Sequence, residues 1–336
     1  MTRFIAQRLL ATIPVLLLVV ATVFALSRAI PGDPATTLLG PGATAQQIEA
    51  LRAQLHLDVP APLQFFAYLG GLLQGDLGRS LKTGAPVLRE VALRLPATLE
   101  LAIAATLVAV LVGIPIGVLT AVRANTWLDH VVRVVSLAGV SMPAFLLAVV
   151  LQLVFGIWLG WLPISGRASP MFYDEPVTGF AVLDQVLAGD VEAVGDALRH
   201  LALPTAVLAA FLAATLARFV RNAMLEAMSE DYIRTARAKG LPERTVVFVH
   251  GLRNALLPAV TILGLKFAEL LGGAILTETV FAWPGIGRWM FDAIRNRDYP
   301  VIQGATLVFA LLFMLVSLAV DVLHGVLDPR VRRRMG

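Results

Sequence analysis

Apolar runs of about twenty residues, the length needed to cross hydrocarbon, alternate along this chain with segments that hold most of its charge. The first run, Leu9 to Ser27, follows Arg3 and Arg8. Its basic flank and the small residues Ala25 and Ser27 also have the layout of a secretory signal, but the run is long for one, and five further spans make a retained anchor the simpler account. Pro31, Gly32 and Pro34 then stop the helix. From Thr36 to about Pro96 the pattern is mixed and predicts an extramembrane segment of short helices. Further spans are expected at Ala97 to Val122, Val134 to Leu159, Leu201 to Ala217, Leu257 to Phe281 and Val301 to Leu323, with a second extramembrane loop from Trp161 to His200.

The spans have features of their own. Gly113 and Gly117 in the second lie at the GxxxG spacing that lets helices approach closely in lipid. Pro143 in the third frees a backbone carbonyl, so the helix there is either kinked along a cavity or kinked towards lipid. The alanine-rich fourth span is expected inside a bundle. In the fifth, Lys266 and Glu269 would each cost about 2.5–3.5 kcal/mol at the bilayer centre, and their i, i+3 spacing lets them pair. Such a pair is either functional or a structural bridge.

Residues 226–258 form the longest charged segment in the second half of the chain. Glu230 and Asp231 open a helical run and Arg237 and Lys239 close it, each charge complementing the helix end beside it. Gly240 supplies a left-handed stop and Pro242 starts a second helix. Tyr232, Thr235, Ala236 and Lys239 fall on one face of the first helix. The segment is therefore either a solvated loop or a helix made to enter a cleft on another protein. Further on, Trp283 and Trp289 are expected at the membrane interface, with Pro284-Gly285 enforcing a turn.

Composition fits this reading. With 58% hydrophobic and 15% charged residues and a mean hydropathy of +0.79, the 336-residue chain is expected to be an all-α, multi-pass membrane protein. Its net charge of +4 does not point to nucleic acid, because the basic residues are spread between apolar runs without interleaved aromatics. The positive-inside rule places both termini, the 123–133 loop, the 218–256 loop and the cluster Arg330, Arg332, Arg333 and Arg334 in the cytoplasm. Cysteine is absent, which removes disulfides and thiolate chemistry. No Gly-Lys dipeptide is available for a phosphate-binding loop, no GxSxG elbow occurs, and the five histidines are too scattered for a ligand pair. An enzyme is not expected, and neither is a cofactor or a metal.

The run DYIRTARAKG…LRNALLP resembles the coupling loop of ABC-importer permeases in its peptide-transporter form. Arg234, Thr235 and Ala236 stand where the wider superfamily has Glu-Ala-Ala. Pro-Gly-Asp-Pro after the first span, the Gly75-Asp76-Leu77-Gly78 turn and ETVFAWPGIGR…DYP are similar to the same family, so the resemblance covers nearly the whole chain. It implies a type I permease fold of six transmembrane helices with a cytoplasmic coupling helix and an extended first periplasmic loop, the first of two permease subunits in a dipeptide or oligopeptide importer of the bacterial inner membrane. The implied divisions are 1–30 for the tail and first helix, 31–96 for the periplasmic segment, 97–325 for the permease domain and 326–336 for the basic tail. The implied ATPase-coupling residues are Glu230, Asp231, Tyr232, Arg234, Thr235, Ala236, Arg237, Ala238, Lys239 and Gly240. Asn254, Leu257 and Pro258 would close the loop, and Pro143, Lys266, Glu269, Glu278, Trp283, Pro284 and Gly285 are pathway or gate candidates. The implied partners are a second homologous permease, two cytoplasmic ABC ATPases, a periplasmic or lipid-anchored binding protein and membrane lipid. Alternatives are the same architecture importing glutathione, nickel or another peptide-like solute, a secondary transporter relying on Lys266, Glu269 and Asp321, and a non-transporting scaffold or insertase subunit.

Overall fold

The computed structural model describes residues 2–29, 34–40, 42–54, 58–172 and 177–327. The Pro31-Gly32 break, Pro176, His56 and the basic tail from Asp328 lie outside the described residues, as does the Leu257 side chain. Among the described residues the fold is all α apart from one isolated bridge between Arg79 and Pro86.

The first pass is α1 (Thr2–Ala29), which includes Pro14. Three short helices follow: α2 (Pro34–Leu39), α3 (Ala45–Gln54) and α4 (Ala61–Leu73). The second pass is α5 (Val87–Val122), whose 36 residues span about 54 Å at 1.5 Å per residue. It starts ten residues before the expected span. An ion pair between Arg94 and Glu90, one turn apart, supports the polar end that hydropathy assigned to a loop.

The third pass is broken into α6 (Trp127–Ser141) and α7 (Ala144–Leu151), followed by a π-helical turn, Gln152–Trp158. Pro143 caps α7, so the expected kink is a true break. In the second extramembrane loop, a 3₁₀ turn (Pro170–Phe172) and α8 (Ala181–Ala188) precede α9 (Val191–Ser229). The Asp190 side chain accepts from Glu192 N and Ala193 N and caps α9, which therefore starts ten residues earlier than the apolar pattern indicated and ends twelve later.

After α9 come α10 (Asp231–Ala238), α11 (Glu243–Thr245), a π-helical stretch (Val246–Leu252) and α12 (Arg253–Gly273). The helical path from Glu243 to Gly272 bends by 49° between Leu256 and Pro258, where proline lacks the donor that a straight helix needs. The chain closes with α13 (Ile275–Val280), α14 (Ile286–Asn296) and α15 (Tyr299–Leu327). Among the described residues α5, α9 and residues Tyr299–Leu323 of α15 are each long and apolar enough to cross a membrane, and the bent path through α12, taken as one span, is a fourth; Leu10–Leu26 of α1, α4 and Ala144–Trp158 are shorter apolar stretches.

The bundle is built around α5 and α9. A Cβ on Gly113 would lie 2.9 Å from the Ala213 carbonyl, and one on Gly117 only 2.7 Å from the Ala217 carbonyl. The glycine pair thus brings α5 against the alanine face of α9, as the spacing suggested. Ala105, Ala109, Leu208, Leu212 and Val220 are all buried near this contact. Outside it, α1 packs on α15, and Arg8 pairs with Asp321 across them at 3.2 Å. The carboxylate weighed for ion coupling already has an arginine partner.

Candidate functional site

The polar hairpin grows directly out of two passes. At the end of α9, Glu230 takes an extended conformation (φ −72°, ψ 152°) and turns the chain into α10. At the other end Gly240 adopts φ +74°, and Leu241 N bonds back to the Ala236 carbonyl. No atom lies within 4 Å of a Cβ built on Gly240, so the glycine is required by backbone conformation alone.

Ile233, Ala236 and Val246 form a small buried core beneath α10, with Met228 of α9 packed against it. Ala236 therefore turns inward, and the expected shared face with Tyr232, Thr235 and Lys239 is corrected. At three residues from Ile233, Ala236 falls on the helix side facing the π-helical stretch. The outer face carries Asp231, Tyr232, Arg234, Thr235, Arg237, Ala238 and Lys239, all exposed, with Tyr232 at 39%. Arg237 Nη2 meets Glu243 Oε1 at 2.6 Å and locks α10 to α11 across the glycine elbow. The hydrogen bond from Arg237 holds the Glu243 carboxyl below the usual carboxylate range. Asn254 Nδ2 donates to the His250 carbonyl, and Pro258 marks the bend into α12. This hairpin presents a charged surface with one aromatic side chain on a base tied to two membrane passes.

A second constellation lies at the opposite end of α5. Glu278 of α13 is fully buried. It accepts from Thr98 Oγ1 at 2.7 Å and from Arg288 N at 2.9 Å, and Thr98 Oγ1 in turn accepts from Ile286 N. Gly285 and Gly287 make room for the carboxylate, since a Cβ on either would collide with it. Trp283 is 1% exposed, and its Nε1 donates to the Ala97 carbonyl at 2.9 Å. The expectation of an interfacial Trp283 is corrected: the indole is an internal anchor whose polar tip finds a carbonyl on α5. Trp289 is only partly buried, with Arg94 stacked 5.1 Å from its ring centre. Ala282, in the left-handed region at φ +51°, sets up the Pro284-Gly285 turn.

Beside this junction, Asp298 is buried and accepts from Ser80 Oγ at 2.5 Å, Leu81 N at 3.0 Å and Lys82 N at 3.3 Å. The glycine turn after α4 and the Asp-Tyr-Pro step that opens α15, more than 200 residues apart in sequence, are one structural unit. Nothing in local sequence could have paired them.

The remaining candidates lie elsewhere. Lys266 Nζ and Glu269 Oε2 are 2.5 Å apart on α12, with 38% and 65% of the two side chains exposed. The pair is turned away from the chain's own helices, and charges in this position need water or protein beside them, because lipid would not accept them. Pro143 stands at the α6–α7 break.

Residues 113–333 match the family model for the binding-protein-dependent transport system inner membrane component, and residues 1–102 match the model for its N-terminal part. The chain is 48% identical to the di/tripeptide transport system permease protein DppB of Pseudomonas aeruginosa (strain UCBPP-PA14), over 99% of this chain and 100% of that protein. It is 48% identical to the probable D,D-dipeptide transport system permease protein DdpB of Escherichia coli (strain K12), over 96% of each. Identity is 43% with the glutathione transport system permease protein GsiC of Salmonella choleraesuis (strain SC-B67), over 99% of each.

Proposed function

Because this chain belongs to the family of inner membrane components of binding-protein-dependent transport systems, we propose that it is the first of two permease subunits in an ATP-driven importer of dipeptides or short oligopeptides. The second permease would complete the pathway, two cytoplasmic ABC ATPases would supply energy, and a periplasmic or lipid-anchored protein would deliver substrate. Without a Gly-Lys phosphate loop, the subunit has no ATP chemistry of its own. Both termini and the hairpin face the cytosol, consistent with the arginine distribution.

The observation that carries this reading is the hairpin itself. Its outer face, from Asp231 to Lys239, is open and charged, while Ile233, Ala236 and Val246 fix its inner face to α9 and the path into α12. A motor gripping the outer face moves both passes together. The displacement travels along α5, α9 and α12 to the Glu278 and Asp298 junctions, which act as the outer gate. Lys266 and Glu269 then face the pathway between the two permeases, where water can solvate them.

Reconstitution of the complete importer in proteoliposomes tests this. Uptake of a labelled dipeptide requires internal ATP and the binding protein; uptake that survives ATP depletion on a proton gradient, or translocation by this subunit alone, would refute it. The glutathione relative supports a second reading in which the same machinery carries that tripeptide. Ligand screening of the binding protein decides between them.

A further inference from the structure

Towards the hairpin side of the bundle, α5, the middle of α6 and residues 214–222 of α9 line an open cavity of about 370 Å³. Its polar lining comprises Thr120, Arg133, Ser136, Arg218, Arg221 and Asn222. These groups are not equally free. The Thr120 hydroxyl is committed to the Ile116 and Gly117 carbonyls. Arg221 grips buried Asp129 with two bonds, of 2.7 and 2.8 Å, and Arg133 meets the same carboxylate at 3.3 Å. Arg218 is exposed and has no hydrogen-bond or ion-pair partner among the described residues; the same holds for the Ser136 hydroxyl. The Asn222 carbonyl lies 3.5 Å from Arg221, which leaves its amide N–H groups available.

Three arginines against one aspartate leave an excess of two positive charges around the cavity, and free donors of three kinds converge there. The rest of the wall is apolar, with Val132 and Leu137 of α6 at the cavity and the exposed Val131, Val134 and Val135 beside them. A headgroup with an acyl neck matches this arrangement: anion at the arginines, hydrocarbon along α6. We propose that the cavity is a binding site for an anionic phospholipid of the cytosolic leaflet, its phosphate held by Arg218, Ser136 and Asn222. Asp129 holds Arg221 and Arg133 in place and offsets one of their two charges, which leaves Arg218 as the guanidinium without a partner among the described residues.

The inference rests on the orientation proposed above, which is tested separately. The chain has no cysteine, so a single Thr126→Cys is labelled only from the side on which this end lies. Labelling from outside the cell would overturn the orientation without bearing on whether lipid binds.

For the site itself, the assembled importer is purified with phosphatidylglycerol or phosphatidylcholine, and retained lipid is counted by native mass spectrometry. Wild type retains phosphatidylglycerol in preference to phosphatidylcholine, and inorganic phosphate does not displace it. Arg218→Gln lowers retention by about tenfold, the scale of one charge-assisted hydrogen bond, while Arg123→Gln on the same side changes nothing. Ser136→Phe, which fills the cavity with Arg218 intact, produces a similar loss. Equal retention in wild type, Arg218→Gln and Ser136→Phe would overturn the proposal. So would protection by inorganic phosphate without preference for phosphatidylglycerol.

Discussion

Replacing Glu278 with alanine is expected to release the outer junction, and the hydrogen bonds at that site set the scale. Two donors, Thr98 Oγ1 and Arg288 N, end on this carboxylate inside a site with no exposed surface. Alanine leaves both without an acceptor, and an orphaned buried donor costs about 1–3 kcal/mol, so the local structure loses about 2–6 kcal/mol. Glutamine keeps the shape. Its carbonyl can accept from Arg288 N while its amide donates to Thr98 Oγ1, so the cost falls to about 1 kcal/mol or less. Hydrogen exchange reads this directly, because the Arg288 and Ile286 amides both bond into the cluster. At 1.4 kcal/mol per decade, exchange at these two amides should rise between about 30-fold and 10⁴-fold in Glu278→Ala, and by less than about tenfold in Glu278→Gln. The assembled importer is the correct sample, with amides of α9 as the internal reference. If the two variants exchange alike and within a few-fold of wild type, the carboxylate does not hold the junction and the reasoning fails.

Other expectations follow from the same geometry. Gly240→Val should uncouple ATP hydrolysis from uptake with normal membrane insertion, whereas Gly240→Asn should retain most coupling. The surrounding space is open and only the left-handed conformation discriminates between them; similar uptake in the two would contradict this. Gly117→Leu should prevent α5 from seating on α9 and abolish accumulation of folded protein, as measured by the yield of monodisperse complex, because even a Cβ there meets Ala217 O at 2.7 Å. Asp298→Ala removes the acceptor of Ser80 Oγ, Leu81 N and Lys82 N; water can replace it at exposed Lys82, and the other two losses should cost about 2–6 kcal/mol of local stability, seen as faster proteolysis of the loop around residues 79–85, whereas unchanged cleavage would argue against the junction.

Much of this was legible in residue order, for identifiable reasons. Charge placement around Glu230 to Lys239 and the Gly240 stop follow from helix electrostatics and backbone sterics, which are local. The Gly113 and Gly117 pair announced a close contact, although not that its partner was α9. Hydropathy underestimated α5 and α9 because their polar ends remain helical beyond the apolar core, through the Arg94–Glu90 pair and the Asp190 cap. Trp283 was misplaced because an indole suits an interface as well as a buried site with one acceptor, and that acceptor, Ala97 O, lies 186 residues away in sequence. The outward direction of Lys266 and Glu269 likewise depends on where neighbouring helices pack, which i, i+3 spacing cannot reveal.

Single-cysteine cross-linking from the hairpin to the nucleotide-binding subunits tests the central claim most directly, in a chain that begins without cysteine. Tyr232→Cys on the open face of α10 should cross-link to an ATPase subunit in the assembled importer, with a yield that changes when ATP binds, while Ala236→Cys on the buried face should not. Failure of Tyr232→Cys to reach any ATPase, with the complex intact and transporting, would contradict the account.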